Sequence, residues 1–462
     1  MRPIAALSLA ATCAAFLPLS LFAETSAADD ARTLRALYDA ALPSRAAYEH
    51  LDELTSKFPG RLSGSKKLEG AVLWGKAVLE KSGAERVELQ PVSVPHWERG
   101  PAESVHLINK DGTTGKRFAA TALGGSVPTP GGALRARVVE LHSLEELKTA
   151  DVKGKIVFFN RPMNPLHVNP GVAYGEAGDQ RNQGPGEAAK FGAVAVLSRS
   201  LTLALDDVPH TGNTTYLANV PRIPAAALST VAANALSAAL QARPDLALEM
   251  VIRSQWFDDA PSHNVIGEIP GREHPEQVIL VGGHLDSWDI TPGAHDDGAG
   301  VVESIEVFRL LRAIGYQPRH TLRCVLYTSE ENSGNGGKEY ARLAALKKET
   351  HLLALETDNG GFQPAGFNLG NPAGDAHTRA ARWQDLFAPY GIRVFVSGKG
   401  GSDVGHLLAN GDTVGELLSE TQRYFDLHHT TIDTLDKVNP RELELGAAAM
   451  AALVYLVDQH GL

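Results

Sequence analysis

The sequence predicts an α/β protein with a mostly parallel mixed sheet and a β-rich insert, and three observations carry that reading. From about residue 255 onward, short apolar runs alternate with amphipathic helical patterns, as in a sheet buried on both faces. Between about 115 and 248 the pattern changes to brief β-rich runs separated by loops rich in Gly, Pro and Asn. The chain has 462 residues, enough for two or three domains of ordinary size.

The opening "MRPIAALSLAATCAAFLPLSLFAETSAADD" has one arginine, an apolar run from Ile4 to Ala23 broken by Pro18, and then a polar segment. That layout predicts a secretory signal peptide over residues 1–23, with cleavage after Ala23 or Ala27. No later stretch approaches a membrane span. The expected mature chain is exported, periplasmic or secreted, and free of the membrane once the signal is removed. Cys13 and Cys324 are its two cysteines, so signal removal leaves Cys324 without an intramolecular partner. The 43 basic and 54 acidic side chains give a net charge of −11, which argues against nucleic acid or an anionic membrane surface as partner.

Residues 30–114 begin with apolar residues at helical spacing in "LRALYDAALPSRAAYEHLDELTSKF" and "SKKLEGAVLWGKAVLEKSG". They predict two helices, separated by the turn-rich "PGRLSGS" and followed by a strand in "VELQPVSVP". The insert, residues 115–248, contributes β-rich runs such as "ARVVEL", "KIVFFN" and "AVAVLS". Residues 249–462 return to the α/β pattern. There "VILVGG", "TLRCVLYTS" and "LLALET" read as buried strands and "VVESIEVFRLLRAIG" as an amphipathic helix. The last helix, "NPRELELGAAAMAALVYLVDQ", has Asn439 placed as N-cap and Pro440 at the first helical position.

Metal-capable side chains fall just after these strands. His284 and Asp286 follow "VILVGG", Glu330 and Glu331 follow "CVLYTS", and Asp358 follows "LLALET". Ligands of open α/β sheets bind beyond the carboxyl ends of the strands, so these groups are expected to converge. Residues i and i+2 of an extended segment face the same way. His284 can therefore bind a metal through one ring nitrogen while Asp286 accepts a hydrogen bond from the other. In "PGAHDDGAG", Asp296 is placed to bridge two cations through its two oxygens. Asp289, His295 and Asp297 receive no ligand role, and His295 is expected to face solvent.

Adjacent carboxylates on a regular strand point to opposite faces. At a frayed strand end, one of Glu330 and Glu331 can bind metal while the other accepts a proton from a water that attacks a carbonyl. "YFDLHHTTIDT" supplies His428 and His429 in a third region, and the residues alone leave the choice between them open.

In order, "GGHLDS", "PGAHDDGAG", "TSEENSGNGG", "ETDNGG" and "HHTTIDT" resemble the co-catalytic zinc aminopeptidase and carboxypeptidase family, over nearly all of the mature chain. The resemblance implies a three-layer α/β/α zinc exopeptidase domain, with an insert similar in position and style to a protease-associated domain. It implies two zinc ions: one held by His284 and Asp358, the other by Glu331 and His429, with Asp296 bridging them. His429 is preferred over His428 because the family pattern places its histidine four residues before Asp-Thr. Glu330 becomes the general base, and Asp286 orients His284.

The substrates implied are dipeptides or short peptides with free termini, through either a carboxypeptidase or an aminopeptidase specificity. Relatives often dimerise, which makes a homodimer one arrangement to test. Many relatives carry Ser-Asp-His beyond the glycine-rich loop. Here "GGSDVGHLL" has Val404, so only Ser402 and Asp403 match as substrate contacts. Two rival readings are single-zinc glutaminyl cyclisation on the same fold and a receptor or scaffold that has lost the chemistry.

Overall fold

The computed structural model describes residues 26–462, and the signal-peptide expectation for residues 1–23, with Cys13, lies outside the described residues. Helices α1 (Ala27–Ala41), α2 (Ala46–Lys57) and α3 (Lys66–Ser82) come first, then strands β1 (Arg86–Val94) and β2 (Trp97–Glu98). Sequence patterning predicts a single helix over the first two. Pro43 divides them, because proline has no amide N–H and disfavours helical geometry in the residue before it.

The next eight strands are β3 (Ser104–Ile108), β4 (Thr114–Phe118), β5 (Ala120–Ala122), β6 (Leu134–Leu141), β7 (Ile156–Phe159), β8 (Ala195–Arg199), β9 (Ala225–Leu228) and β10 (Ala247–Val251). They form one sheet in the order β4-β3-β10-β6-β7-β8-β9-β5. Helices α4 (Pro170–Ala177), α5 (Asp179–Asn182), α6 (Gly184–Lys190) and α7 (Thr230–Ala242) accompany it. This sheet reaches back to Ser104, upstream of residue 115 where composition places the start of the insert. The reason is a long-range pairing, Val105 opposite Met250, which local composition does not register.

After β11 (Gln255–Trp256), the chain continues through β12 (Ala260–Ile269), β13 (His274–His284), α8 (Ala299–Ala313), β14 (His320–Tyr327), α9 (Asn335–Lys347), β15 (Thr350–Glu356) and β16 (Pro364–Gly370). Two short helices, α10 (Ala376–Ala380) and α11 (Gln384–Phe387), precede β17 (Val394–Ser397) and β18 (Val414–Ser419). The end is α12 (Tyr424–Leu427) and α13 (Pro440–His460), the latter capped by the Asn439 side chain, which accepts from the Arg441 amide at 2.9 Å.

The main sheet runs β1-β12-β14-β13-β15-β18-β16-β17. Its central strands β14, β13, β15 and β18 are mutually parallel. Four of the seven pairings are parallel and three antiparallel, a mixed sheet. Successive residues of β13 serve opposite layers, as a strand requires. Ile279 and Val281 pack with α8 and α13, while Val278 and Leu280 pack with α9 and Val404. Each such fully buried aliphatic side chain contributes about 1.5–3 kcal/mol. The result is three layers, with the central parallel strands all ending at one edge. No helix among the described residues is long and apolar enough to cross a membrane.

Candidate metal centre

Strand β13 ends at His284, and two groups fix that residue. Its backbone N–H donates to Asp297 Oδ2 at 3.0 Å, its Nδ1 faces the Asp286 carbonyl at 3.1 Å, and its Nε2 faces the Asp296 and Asp358 carboxylates. The Asp286 carboxylate lies farther off, 3.6 Å from Nδ1. It accepts instead from the Glu330 and Glu331 amides at 3.0 and 3.3 Å. Asp286 thus touches the ring through its main chain and spends its side chain on the neighbouring loop.

The loop between His284 and Asp296 folds around Arg61. This fully buried guanidinium donates to the carbonyls of Leu285, Pro292 and Gly293 at 2.6, 2.5 and 3.0 Å. Asp433 then seizes the far end, accepting from the His295 and Asp296 amides at 2.8 and 3.1 Å. Held this way, the Asp296 carboxylate divides its oxygens. Oδ1 lies 3.2 Å from His284 Nε2, and Oδ2 lies 3.4 Å from His429 Nε2.

The other acids arrive from the neighbouring strands. Ser329, just after β14, has φ of +66°; this left-handed step breaks the strand alternation, and Glu330 and Glu331 both line the cavity. Glu331 Oε2 lies 3.2 Å from His429 Nε2, while its Oε1 accepts from the Trp288 amide at 3.1 Å. Asp358, after β15, places Oδ1 3.6 Å from His284 Nε2. His428 stacks on His429 at 3.5 Å between ring centroids and stands 3.6 Å from Asp296 Oδ2. His429 makes the additional approach to Glu331, and that distinguishes the two histidines.

Burial pushes the Glu330 carboxyl up to about 7 and the Glu331 carboxyl well above the usual range. Burial also raises Asp358. Asp296 moves the other way: burial raises it, but His428, His284 and His429 outweigh that and hold it low. Burial drives His429 well below its ordinary value. Acids and imidazoles crowded out of water in this way are relieved by a divalent cation, which supplies the missing positive charge. The residues fit one. Asp358 Oδ1 is buried without a hydrogen-bond donor; His284, Asp296 and Asp358 form one cluster with metal-ligand spacing, and Asp296, His428 and His429 another.

Several positions differ from their sequence expectations. His295 is buried, not solvent-facing: it stacks on Phe362 at 4.2 Å and its Nδ1 accepts from the Gly361 amide. Asp297 accepts from both the His284 and Gly300 amides, tying the ligand strand to the start of α8. Ser402 lines the cavity, whereas Asp403 is absent from its lining. The Asp403 carboxylate accepts from the Gly337 amide at 3.0 Å, satisfying an orphan N–H in the first turn of α9. Asp289 is also occupied, forming a two-pronged pair with Arg99 at 2.7 Å on each side. Arg61 and Asp433 escaped the sequence reading because their partners are backbone groups of distant segments. The cavity, of about 330 Å³, also takes Tyr174, Arg181 and Asn213 from the insert.

Buried imidazoles and carboxylates meeting beyond the ends of parallel strands define a metallohydrolase site. Known proteins narrow the class. A model described as Peptidase family M28 matches residues 264–454. Carboxypeptidase Q of Bos taurus is 35% identical over 413 residues, covering 89% of this chain and 85% of that protein. A peptidase M28 precursor from Shewanella amazonensis SB2B is similar in structure, with TM-score 0.88 and 32% identity over 94% of this chain and 97% of that one. A zinc aminopeptidase from Bacillus subtilis shares the fold at 20% identity, with TM-score 0.64 over 89% of this chain and 94% of that one. The chain belongs to peptidase family M28.

Proposed function

We propose that this protein is an exported zinc exopeptidase that binds two Zn²⁺ per chain and hydrolyses dipeptides or short peptides with free termini. One zinc is assigned to His284 and Asp358, the other to Glu331 and His429, with Asp296 between them. The observation that carries this reading is the division of the Asp296 carboxylate, one oxygen toward each histidine. Imidazole and carboxylate donors without thiolate suit borderline divalent ions in open, catalytic sites. The family membership and the names of its relatives, carboxypeptidase Q among them, support peptide hydrolysis.

When bound, zinc supplies Lewis acidity and brings the pKa of a coordinated water toward about 7. Glu330 is the general base: it accepts the proton of the water that attacks the scissile carbonyl and returns it to the leaving amine. Asp286 holds Glu330 in place through its backbone N–H. Ser402 borders the substrate space, and Asp403 supports it from behind through α9.

The insert is proposed to be protease-associated-like, and the mature chain to be periplasmic or secreted. Cleavage after Ala23 keeps Ser26, whose side chain caps α1; cleavage after Ala27 removes that cap. Glu330→Gln is expected to retain metal and lose about 10²- to 10⁴-fold in kcat. Dipeptide hydrolysis with and without chelator, together with metal counting by mass spectrometry, tests the reading. Chelator-insensitive turnover, or a wild-type rate in Glu330→Gln, would refute it, and one zinc per chain would favour the glutaminyl-cyclase-like alternative.

A further inference from the structure

Strand β18 carries an acid on a face that otherwise builds core. Val414, Glu416 and Leu418 alternate onto one side of the sheet, and Val414 belongs to the apolar cluster beneath α9. Glu416, two residues on, is half-buried and lines the metal cavity instead. Its Oε1 accepts from Asn359 Nδ2 and its Oε2 from Asn368 Nδ2. Both donors are neutral, and among the described residues Glu416 forms no ion pair. Glu356, opposite it on β15, is placed differently: it is fully buried and its Oε2 is committed to the Asp403 and Val404 amides at 3.0 and 2.8 Å.

The surroundings hold the Glu416 carboxylate in a fixed orientation. The Gly400 amide donates to Asn368 Oδ1 at 3.1 Å, which turns the Asn368 Nδ2 toward Glu416. Gly398 lets this loop lie close, since a Cβ there would stand 2.4 Å from Asn368 Oδ1. Two neutral amides orient a carboxylate, yet each of its oxygens keeps a second lone pair. An anion drawn partly out of water with no cation beside it is costly. An ammonium or guanidinium entering from the cavity supplies both the missing donors and the missing charge.

Sheet order places this acid relative to the reaction. The strands run β14-β13-β15-β18, so Glu330, after β14, and Glu416, on β18, flank the His284 strand from opposite sides. Glu330 returns a proton to the leaving amine. The residue on the carboxyl side of the scissile bond therefore lies toward β14, and the residue on its amino side toward β18. In the β15–β18 register Glu416 is level with Glu356, two residues before Asp358, or ~6.6 Å along the strand. An α-amine is one carbon from the scissile carbonyl and stays beside the metal ligands, whereas a lysine or arginine side chain spans the added depth.

We propose that Glu416 is the floor of the subsite for the residue on the amino side of the scissile bond, and that it selects a basic side chain there. This rests on the exopeptidase reading of the metal site and deepens it by naming a substrate class.

The test uses the full zinc-loaded chain and two dipeptides, lysyl-leucine and norleucyl-leucine, which differ by the side-chain ammonium alone. The wild type is expected to favour lysyl-leucine by about 10-fold or more in kcat/KM, the scale of a hydrogen bond to a charged group. Glu416→Gln should bring that ratio to about one, with the loss falling on lysyl-leucine and mainly through KM, and Glu416→Asp should keep part of the preference. Binding to Glu330→Gln, followed by calorimetry, should show the same preference in Kd without turnover.

Equal kcat/KM or equal Kd for the two dipeptides would overturn the assignment. A Glu416→Gln variant that loses both substrates alike would also refute it, since the acid would then serve the shared α-amine or the fold. In each of these cases chelator-sensitive cleavage of norleucyl-leucine leaves the exopeptidase reading standing. If the zinc-loaded wild type cleaves neither dipeptide, both fall together.

Discussion

The main sheet and the insert approach the same cavity by different means. From the main sheet come imidazoles and carboxylates at strand ends, oriented by buried charged groups: Arg61 on the loop carbonyls, Asp297 on the His284 amide, Asp433 on the Asp296 amide. From the insert come main-chain and neutral contacts behind the ligands. The Thr211 amide donates to the His429 carbonyl at 3.0 Å, His210 Nδ1 meets the His428 carbonyl at 2.9 Å, and Asn213 donates to the Asn332 carbonyl at 3.4 Å. The difference divides the labour: the sheet fixes which atoms bind metal, and the insert closes the chamber and supports the ligand loops from outside.

The sharpest way to break that division is at Asp296, whose two oxygens face both histidines. Asp296→Asn removes the one negative charge shared by the two clusters and leaves a single neutral oxygen in place of two. It is expected to abolish most dipeptide turnover and lower bound zinc, well beyond the 10- to 100-fold typical of outer-shell changes. Zinc stoichiometry after dialysis measures it. Retention of both ions with near-normal turnover would remove Asp296 from the bridging position.

At the junction with the insert the largest effect is expected at Arg99, which lies just ahead of β3. Its guanidinium pairs with Asp289, lies 3.6 Å from Glu103, and donates to the Ala122 carbonyl and the Thr211 hydroxyl. Arg99→Met strands those acids and should cost about 3–5 kcal/mol of stability, read by urea unfolding. Gly124→Val probes the same junction by steric means, since a Cβ there would lie 1.9 Å from the Trp288 ring. Both variants, assayed folded at low temperature, are expected to keep zinc affinity within a few-fold. Zinc loss as large as that from a change in the sheet would erase the distinction between the two regions.

Asp433→Asn tests the sheet side one step back from the metal. The Asp433 carboxylate holds two successive amides, those of His295 and Asp296, and an amide side chain can accept at only one of its two positions. Zinc affinity is expected to fall about 10- to 100-fold, measured by competition with a coloured chelator, while the melting temperature of the insert junction stays unchanged.

The same division explains what could be read from the sequence. His284, Glu330, Glu331 and Asp358 were legible because metal-capable residues stand just after apolar strands, Asp296 from its glycine-rich turn and His429 from the family resemblance; the structure brings them together, five lining one cavity and His284 beside it against Asp296 and Asp358. The mixed α/β sheet was legible for the same reason, since the apolar runs of β13, β14 and β15 are its centre. Arg61 sits in "PGRLSGS", which looks like an ordinary turn, and its acceptors lie more than 220 residues away. Tyr174 and Arg181 carry no local signal at all. His295 was misplaced because a histidine in a Gly- and Asp-rich loop resembles a solvent-facing one until Phe362 covers it. Strand-end chemistry is local, whereas the groups that aim and enclose it are set by tertiary contacts.

The smallest expected effect separates acids at the strand ends from acids between the helices. Glu303 on α8 is buried, its Oε2 has no hydrogen-bond donor, and burial followed by the nearby Glu444 raises its carboxyl well above the ordinary range. A raised folded-state pKa favours the fold fully below the unfolded value and progressively less as pH rises through the folded one. Glu303→Gln removes that dependence without changing shape. Near pH 5 the variant should unfold at about the wild-type temperature, and near pH 8.5 it should melt about 2 °C or more higher, roughly the effect of 1 kcal/mol. Its turnover and zinc content should match the wild type at both pH values. A loss of zinc would mean that Glu303 communicates with the metal centre, and the helical layer could no longer be treated as a passive support for the sheet edge.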